Sequence, residues 1–456
     1  MDKALKRIDH IMYDVNTPTS LVTITGMMTF DKKIDKKTLQ QIIDKRLLQY
    51  ERFRKKVIHK NGKPYWHIDE HFELDLHLHH IALPAAGDYE ILQATISDLI
   101  SQPLDPSKPL WQAHLIDNYL GGSVILWRIH HAIADGIALI KVVLSLTGSS
   151  KAESLDLSLH LTDSKSSPER THSLLEQADE WLHTGKRWYN NIEELFSDKE
   201  KMRDTLAKSL EVSKEVGKLF LGKAPKSILY KGELCCNKKV AFSNPLPLPD
   251  IKKIGKIFGA TVNDILLALI TGAIRRHLIL HKQKLTESIR IVIPVNLRNK
   301  DEAIKIHNKI GMLSIELPVH ITTTKGRILF IKEKTELLKQ SIEPALIYYL
   351  MNIMADLLPK EVESKISDYL GKRIAGVITN VPGPRHAVYM AGLPVRDIMF
   401  WVPQTNPLGM GISIISYNDK VCLGVVTDTH LVSDPDRIIE GYYKEFDAMK
   451  KLLAGT

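Results

Sequence analysis

The segment Ser123–Leu146, SVILWRIHHAIADGIALIKVVLSL, decides how the rest of the chain is read. Ser123 to His130 is an apolar run with the length of a buried strand, after which Ile133, Ile137, Ile140 and Leu144 recur at the three- and four-residue intervals of a helix. His130 and His131 therefore stand where a strand ends and a helix is about to begin. Successive strand side chains point to opposite faces, so one histidine can face a cleft while its neighbour enters the scaffold. Asp135 precedes Gly136 in the turn that opens the helix, where a carboxylate caps backbone N–H groups or fixes the turn through an ion pair. A histidine pair alone is more often a core or metal pair than a base. The added Asp and Gly, at this spacing, make HHAIADG far more specific.

Outward from this segment, residues 1–160 alternate strand-like and helix-like stretches. Leu21–Phe30 is Thr-rich and apolar and predicts a strand; Lys37–Leu48 predicts a helix with Leu39, Ile42, Ile43 and Leu47 on one face. Phe53–Trp66 is broken by Asn61-Gly62, the dipeptide that supplies positive φ for a type I′ hairpin turn. The first hairpin strand carries Arg52, Arg54, Lys55 and Lys56, with Lys60 and Lys63 near the turn, and reads as a solvated face or as an anion-docking patch. Between 161 and 232 strand formers thin out, and apolar residues from Leu174 through Trp181 and Trp188 to Leu210 recur at helical spacing. This predicts a helical connector. Its tail, from Lys214 to Lys231, holds five lysines against Glu215 alone. The apolar stripe either packs on the flanking domains or lies on a membrane or oil surface with the lysines toward anionic headgroups. From 233 to 456 alternation returns, with strands expected at 289–295, 312–319, 376–380, 410–417 and 420–428 and helices at 250–258 and 264–280. The expected organisation is a domain at 1–160 carrying HHAIADG, a connector at 161–232 and a second domain at 233–456. Two α/β halves imply a cleft between them, a common place for a ligand.

Composition narrows the function classes. A chain of 456 residues, 44% hydrophobic and 25% charged, buries a large core without disulfide or metal staples and is neither disordered nor fibrous. Lys plus Arg number 62 against 53 Asp plus Glu, a net +9 that favours anionic partners: coenzyme A, an anionic membrane surface or nucleic acid. Nucleic acid is disfavoured because the basic residues are dispersed and no binding module is recognisable. Cys235, Cys236 and Cys422 show no metal-ligand spacing, which suits a reducing, cytoplasmic compartment. No apolar run approaches the roughly 20 residues that span a bilayer, and the N-terminus offers no signal-peptide core.

HHAIADG has the form HHxxxDG, and the chain resembles the bacterial wax ester synthase/diacylglycerol acyltransferase family of the coenzyme A-dependent acyltransferase superfamily. Further family-like segments follow in order: QPLDPSKPLW (Gln102–Trp111), TVNDILLA (Thr261–Ala268), IPVNLR (Ile293–Arg298), NVPGP (Asn380–Pro384) and SYND (Ser416–Asp419). HHxxxDG alone identifies only the superfamily; the ordered PLW, ND and NVPGP segments narrow it to the lipid acyltransferases. The resemblance implies an α/β fold of two chloramphenicol-acetyltransferase-like domains joined by the connector, with the active-site tunnel between them. It also implies transfer of a fatty acyl group from acyl-CoA to a long-chain alcohol, giving a wax ester, or to a diacylglycerol. His131 is then the general base, with His130, Asp135 and Gly136 keeping the motif's geometry and Arg298 a candidate partner for Asp135. Imidazole titrates near neutrality, as removal of an alcohol proton requires. Acyl-CoA and alcohol react directly in a ternary complex, and the sequence has no GxSxG elbow for a covalent nucleophile.

Asn263-Asp264 reads as an N-cap pair; the resemblance implies that it lies near the active site on the second domain, where Asn263 orients the acceptor or the oxyanion and Asp264 is a further substrate-binding candidate. Trp111 is read as structural or as tunnel lining, and Asn380–Pro384 as a rigid turn that shapes a loop. His67, Glu70 and His71 spell HxxEH, but their flanks alternate like strands while that motif needs a helix, so no metal is expected. His79 stands where the family leads one to expect arginine, Asp419 where glycine is more usual, and Ser227–Gly232 lacks an expected asparagine. No permanently bound cofactor is expected, and acyl-CoA enters as co-substrate. The expected location is the cytoplasm, with peripheral attachment to the inner membrane or lipid droplets. The alternatives are a condensation-type or other transferase of the same fold using another thioester donor or acceptor, and a lipid-binding protein without activity, against which intact His131, Asp135 and Gly136 argue.

Overall fold

A computed structural model describes residues 2–158, 229–296, 308, 310–338 and 374–454. The N-terminal half runs α1 (Arg7–Asp14), β1 (Thr23–Phe30), α2 (Lys36–Lys45), the hairpin β2 (Lys55–Lys60) and β3 (Lys63–Ile68), β4 (Leu78–Gly87), α3 (Tyr89–Ile100), β5 (Trp111–Tyr119), β6 (Gly122–His130) and α4 (Gly136–Ser145). The C-terminal half runs β7 (Lys238–Phe242), α5 (Leu248–Phe258), α6 (Val262–Leu280), β8 (Ile289–Asn296), β9 (Ile310–Leu317), α7 (Thr324–Leu338), β10 (Val377–Pro382), β11 (Asp397–Trp401), β12 (Met410–Tyr417), β13 (Lys420–Asp428) and α8 (Asp436–Ala454). All of the expected connector but residues 229–232, including its stripe from Leu174 to Leu210, lies outside the described residues, as do Lys214, Lys218, Lys223, Lys226 and Arg298.

Two mixed sheets organise the molecule. The first has the order β11-β1-β6-β5-β4, antiparallel except between β5 and β4. The second has the order β9-β8-β10-β12-β13-β7, with Leu246–Pro247 also pairing β13 and with β10 parallel to both of its neighbours. Every residue of β6 is buried, because β1 and β5 flank it and both faces are covered. That is why its sequence is a continuous apolar run and does not alternate. The edge strand of the first sheet comes from the far end of the chain: Asp397 pairs Thr29 and Trp401 pairs Thr25. One hydrophobic core accordingly joins Ile125 and Trp127 with Val240, Phe242, Phe400 and Trp401.

The hairpin turn is as read, with Asn61 at φ 49° and Gly62 at φ 73°. Its basic face is so only in part: Arg54, Lys60 and Lys63 are exposed. Arg52 and Arg54 lie in a short 3-10 turn (Glu51–Arg54) ahead of β2; Arg52 points inward under Trp66, with its guanidinium 4.8 Å from the ring centroid, and Lys55 is buried against Glu51. His67 sits in β3 bonded to Asp2, while Glu70 and His71 form a turn, so HxxEH never reaches one helix face. Gly383 of NVPGP lies so close to Ser416 that a Cβ there would meet its carbonyl oxygen at 2.5 Å. Asp419 adopts φ 55°, the left-handed conformation that glycine takes freely and aspartate also tolerates. Among the described residues no single helix is long and apolar enough to cross a membrane; α5 and α6 pass only as a pair bent by 100°, and α6 is buried over most of its length.

Candidate active site

Strand β6 ends at His130, which is in register with Thr23 of β1. One residue on, the His131 N–H donates to the Val22 carbonyl at 2.9 Å, and helix α4 begins at Gly136. The five-residue loop between is therefore anchored at its first member. Nδ1 of His130 accepts the Ala132 N–H at 3.0 Å, while its Nε2 is buried with no partner. Burial, with His131 adding to it, holds the His130 pKa down at about 3, so this ring is a neutral scaffold group.

The first three of the loop's carbonyls are each taken by a side chain from elsewhere. Asn308, from the C-terminal half, donates through Nδ2 to the His131 carbonyl at 2.9 Å; Arg52 donates to the carbonyls of Ala132 at 3.2 Å and Ile133 at 2.8 Å. Asp9 of α1 ties these two together, pairing Arg52 at 2.9 Å and accepting the Asn308 Nδ2 hydrogen at 2.8 Å. Asp9 is fully buried, so its charge is satisfied inside the molecule by Arg52 and Asn308. Neither Asp9, Arg52 nor Asn308 was singled out by sequence as a site residue.

His131 is buried, and the atom turned into the protein, Nδ1, has no hydrogen bond of ordinary geometry; neither has Oδ1 of Asn308. Burial lowers the His131 pKa, opposed first by the Asp135 charge and then by its own carbonyl, by Asn308 and by Asp9. The net result is an imidazole kept uncharged near neutrality. Asp135 caps α4, accepting the Ala138 N–H at 3.0 Å, and is fully buried. Gly136 is not required by packing: a Cβ there would touch only Ile24, at 3.8 Å.

The second family-like segment builds a different junction. Thr261 and Asp264 form a reciprocal capping box on α6, at 3.2 and 2.8 Å, and the other Asp264 oxygen accepts the Thr335 hydroxyl at 2.7 Å. Asn263 is buried and its side-chain oxygen accepts from Asn380 at 3.2 Å, which links ND to NVPGP. NVPGP is linked in turn to SYND, whose Asn418 N–H donates to Pro384.

Residues 5–266 match the family model of the wax ester synthase/diacylglycerol acyltransferase catalytic domain, and residues 306–450 match that family's C-terminal domain. The chain belongs to this family. It is 26% identical over 399 residues to a Mycobacterium tuberculosis protein named as a diacylglycerol O-acyltransferase, covering 86% of this chain and 82% of that one. It is also 26% identical over 408 residues to the O-acyltransferase WSD of Acinetobacter baylyi, covering 86% and 84%. In fold it is similar to the wax ester synthase/diacylglycerol acyltransferase from Marinobacter aquaeolei VT8, with a TM-score of 0.71, 18% identity and full coverage of both chains. The first condensation domain of the CDA synthetase shares the fold at a TM-score of 0.58 and 13% identity, over 98% of this chain and 96% of that one.

In this member of the family not every candidate meets the site. Trp111 has no accessible surface; its indole N–H donates to the Phe53 carbonyl at 2.8 Å and its ring lies between Phe53 and His77, so it packs the scaffold and lines no tunnel. Asp264 is likewise consumed by the capping box and Thr335, which leaves it no group to offer a substrate. Among the described residues no hydrogen bond joins Asn263 to either histidine. Among the described residues the hydrogen bonds gather the His131–Ile133 loop, Asp9, Arg52 and Asn308 into one cluster and Asn263 with Asn380 into another.

Proposed function

We propose that His131 is the general base of an acyl-CoA-dependent O-acyltransferase acting on long-chain alcohols, diacylglycerols or both. With Nδ1 turned into the protein, Nε2 is the nitrogen left for a substrate. It takes the hydroxyl proton as the alcohol oxygen attacks the thioester carbonyl. The tetrahedral oxyanion collapses, the carbon–sulfur bond breaks, and the coenzyme A thiolate recovers the proton from the imidazolium, so that ester and thiol leave together. Base catalysis of this kind is worth about 10²–10⁴ in rate. We further propose that Asn263, in the C-terminal half, orients the acceptor or the oxyanion. The observation that carries the reading is the clamped His131–Ile133 loop, which presents a neutral imidazole with side chains from both halves holding its backbone.

The test supplies purified protein with palmitoyl-CoA and either hexadecanol or a diacylglycerol, following thiol release and neutral-lipid product. Ester formation from free acyl-CoA supports the reading; turnover only with a carrier-bound thioester overturns it in favour of a condensation-type enzyme. Such substrates collect at membranes or droplets, and we assign the cytoplasmic protein a weak peripheral attachment there through the basic tail Lys214–Lys231. Changing Lys218, Lys223 and Lys226 together to Glu should reduce binding to anionic liposomes at low salt; unchanged binding would remove the tail from this role.

A further inference from the structure

Helix α6 carries a second pair of histidines that the acyl-transfer reading does not use. His277 and His281 are four residues apart, so their rings share one face of the helix end. Both Nε2 atoms converge on one carboxylate, that of Asp434 in the loop before α8: His277 approaches Oδ1 at 3.2 Å, and His281 approaches Oδ1 at 3.2 Å and Oδ2 at 3.1 Å. The imidazole centroids are 4.5 Å apart. On its far side His277 Nδ1 is held by the Tyr230 hydroxyl at 2.9 Å, which fixes the ring and leaves Nε2 to face Asp434.

We propose that His277, His281 and Asp434 bind a divalent transition-metal ion of the zinc class. Charge-assisted imidazole–carboxylate hydrogen bonds run at about 2.7–2.9 Å, shorter than the three separations here. Around a tetrahedral ion with bonds of about 2.0–2.1 Å, neighbouring ligand atoms stand about 3.3 Å apart, which the 3.1–3.2 Å spacings approach. Two imidazoles and a carboxylate are the donors such an ion prefers, and the Tyr230 contact is the outer-shell bond that metal-binding histidines characteristically make. His277 is fully buried while the side chains of His281 and Asp434 are 32% and 33% exposed, so the remaining coordination position opens toward solvent and a water. The role is structural: the ion would clamp α6 to the start of α8, two helices already packed together. His277 follows Asn263 by fourteen residues on the same helix, about 21 Å along its axis, which separates the cluster from the acyl-transfer site.

The experiment strips the full-length protein with a chelator and titrates it with Co²⁺, following visible d–d absorption, and with Zn²⁺ by equilibrium dialysis and thermal melting. One equivalent of tetrahedral Co²⁺, displaced by Zn²⁺, and a rise in Tm with Zn²⁺ are expected, with turnover on a short soluble alcohol unchanged by loading. Asp434→Asn and His281→Gln, both at partly exposed positions that should fold, are expected to weaken binding at least tenfold. Tyr230→Phe should weaken it about tenfold as an outer-shell loss. Cys235→Ser with Cys236→Ser should leave it intact. Failure of the wild-type chain to bind either ion, or equal affinity in Asp434→Asn and His281→Gln, overturns the assignment, as does binding that disappears with the cysteines.

Discussion

The two helices that open at family-like motifs, α4 with Asp135 as its N-cap and α6 with Thr261, not Asn263-Asp264, at the cap position, begin with the same device and put it to different use. In α6 the capping box satisfies itself, Thr261 and Asp264 exchange hydrogen bonds, and Thr335 takes the last carboxylate oxygen. In α4 the cap is fully buried, but the loop ahead of it is held from outside by Arg52 and Asn308 and, among the described residues, leaves His130 Nε2, His131 Nδ1 and Asn308 Oδ1 without partners. Buried polar atoms without partners are uncommon, and each calls for an explanation. On the proposed reading, the junction that satisfies its own hydrogen bonds is scaffold and the clamped loop with open polar atoms carries the general base.

The largest expected effect tests that contrast directly. His131→Ala should lower the rate of acyl transfer at least about a hundredfold with the fold intact, whereas Asn263→Ala should lose far less, because its oxygen is shared with Asn380. Circular dichroism and thiol release, measured on both variants, check it; near-normal turnover in His131→Ala would remove the general base from the mechanism.

Asn308→Ala sharpens the comparison by opening the clamp while leaving Asp9 paired to Arg52. A loss of about tenfold in kcat is expected from the displaced loop. A merely structural role for Asn308 predicts no change in the pH profile. His131 must be neutral to act as base, so kcat/KM falls as pH drops through its pKa, which burial places below 6.5. Asn308 is among the groups that raise that pKa, so its removal should move the acid limb to still lower pH. An unmoved midpoint would show that Asn308 holds the loop without acting on the imidazole.

The caps themselves should differ less. Asp135→Ala and Thr261→Ala each remove one N-cap acceptor, worth about 1–2 kcal/mol, and each should lower Tm by a few degrees. Only Asp135→Ala should also reduce turnover, since Asp135 is the charge that most opposes the lowered His131 pKa. Equal loss of activity in both variants would erase the distinction between the two junctions.

The first junction was legible in sequence because its signals are local. The switch from a continuous apolar run to helical spacing located β6, the turn and α4 within a few residues, and Asn61-Gly62 located the hairpin. The clamp was not legible. Arg52 sits in a basic run that looks like any solvated face, Asp9 in an unremarkable helix, and Asn308 in a charged stretch; only the folded chain brings them to one loop. The swapped strand β11 escaped for a related reason: DIMFW is a short strand with four apolar residues and no turn signal that names a partner, and its pairing with β1 spans most of the chain. The His277–His281 spacing was present in sequence, but Asp434 was needed to give it meaning.

The smallest effect, absent at neutral pH, concerns the histidine that does no chemistry. His130 folds with its pKa near 3 because burial disfavours the imidazolium, while in the unfolded chain it titrates near the ordinary value of 6.5. Between those values the unfolded chain binds the extra proton, so acid draws the equilibrium toward unfolding and stability rises with pH across the window. The linkage slope is about 1.4 kcal/mol per pH unit for each such group. Replacing His130 with Asn keeps an acceptor for the Ala132 N–H while deleting the titration. Urea midpoints at pH 7 and pH 5 should therefore fall less with acid in His130→Asn than in the wild type, whereas Thr261→Ala, at the self-contained junction, should keep the wild-type pH dependence and only lower both midpoints. Parallel curves for His130→Asn and wild type would mean that the acid sensitivity lies elsewhere, first of all in His114, which burial also holds near 3.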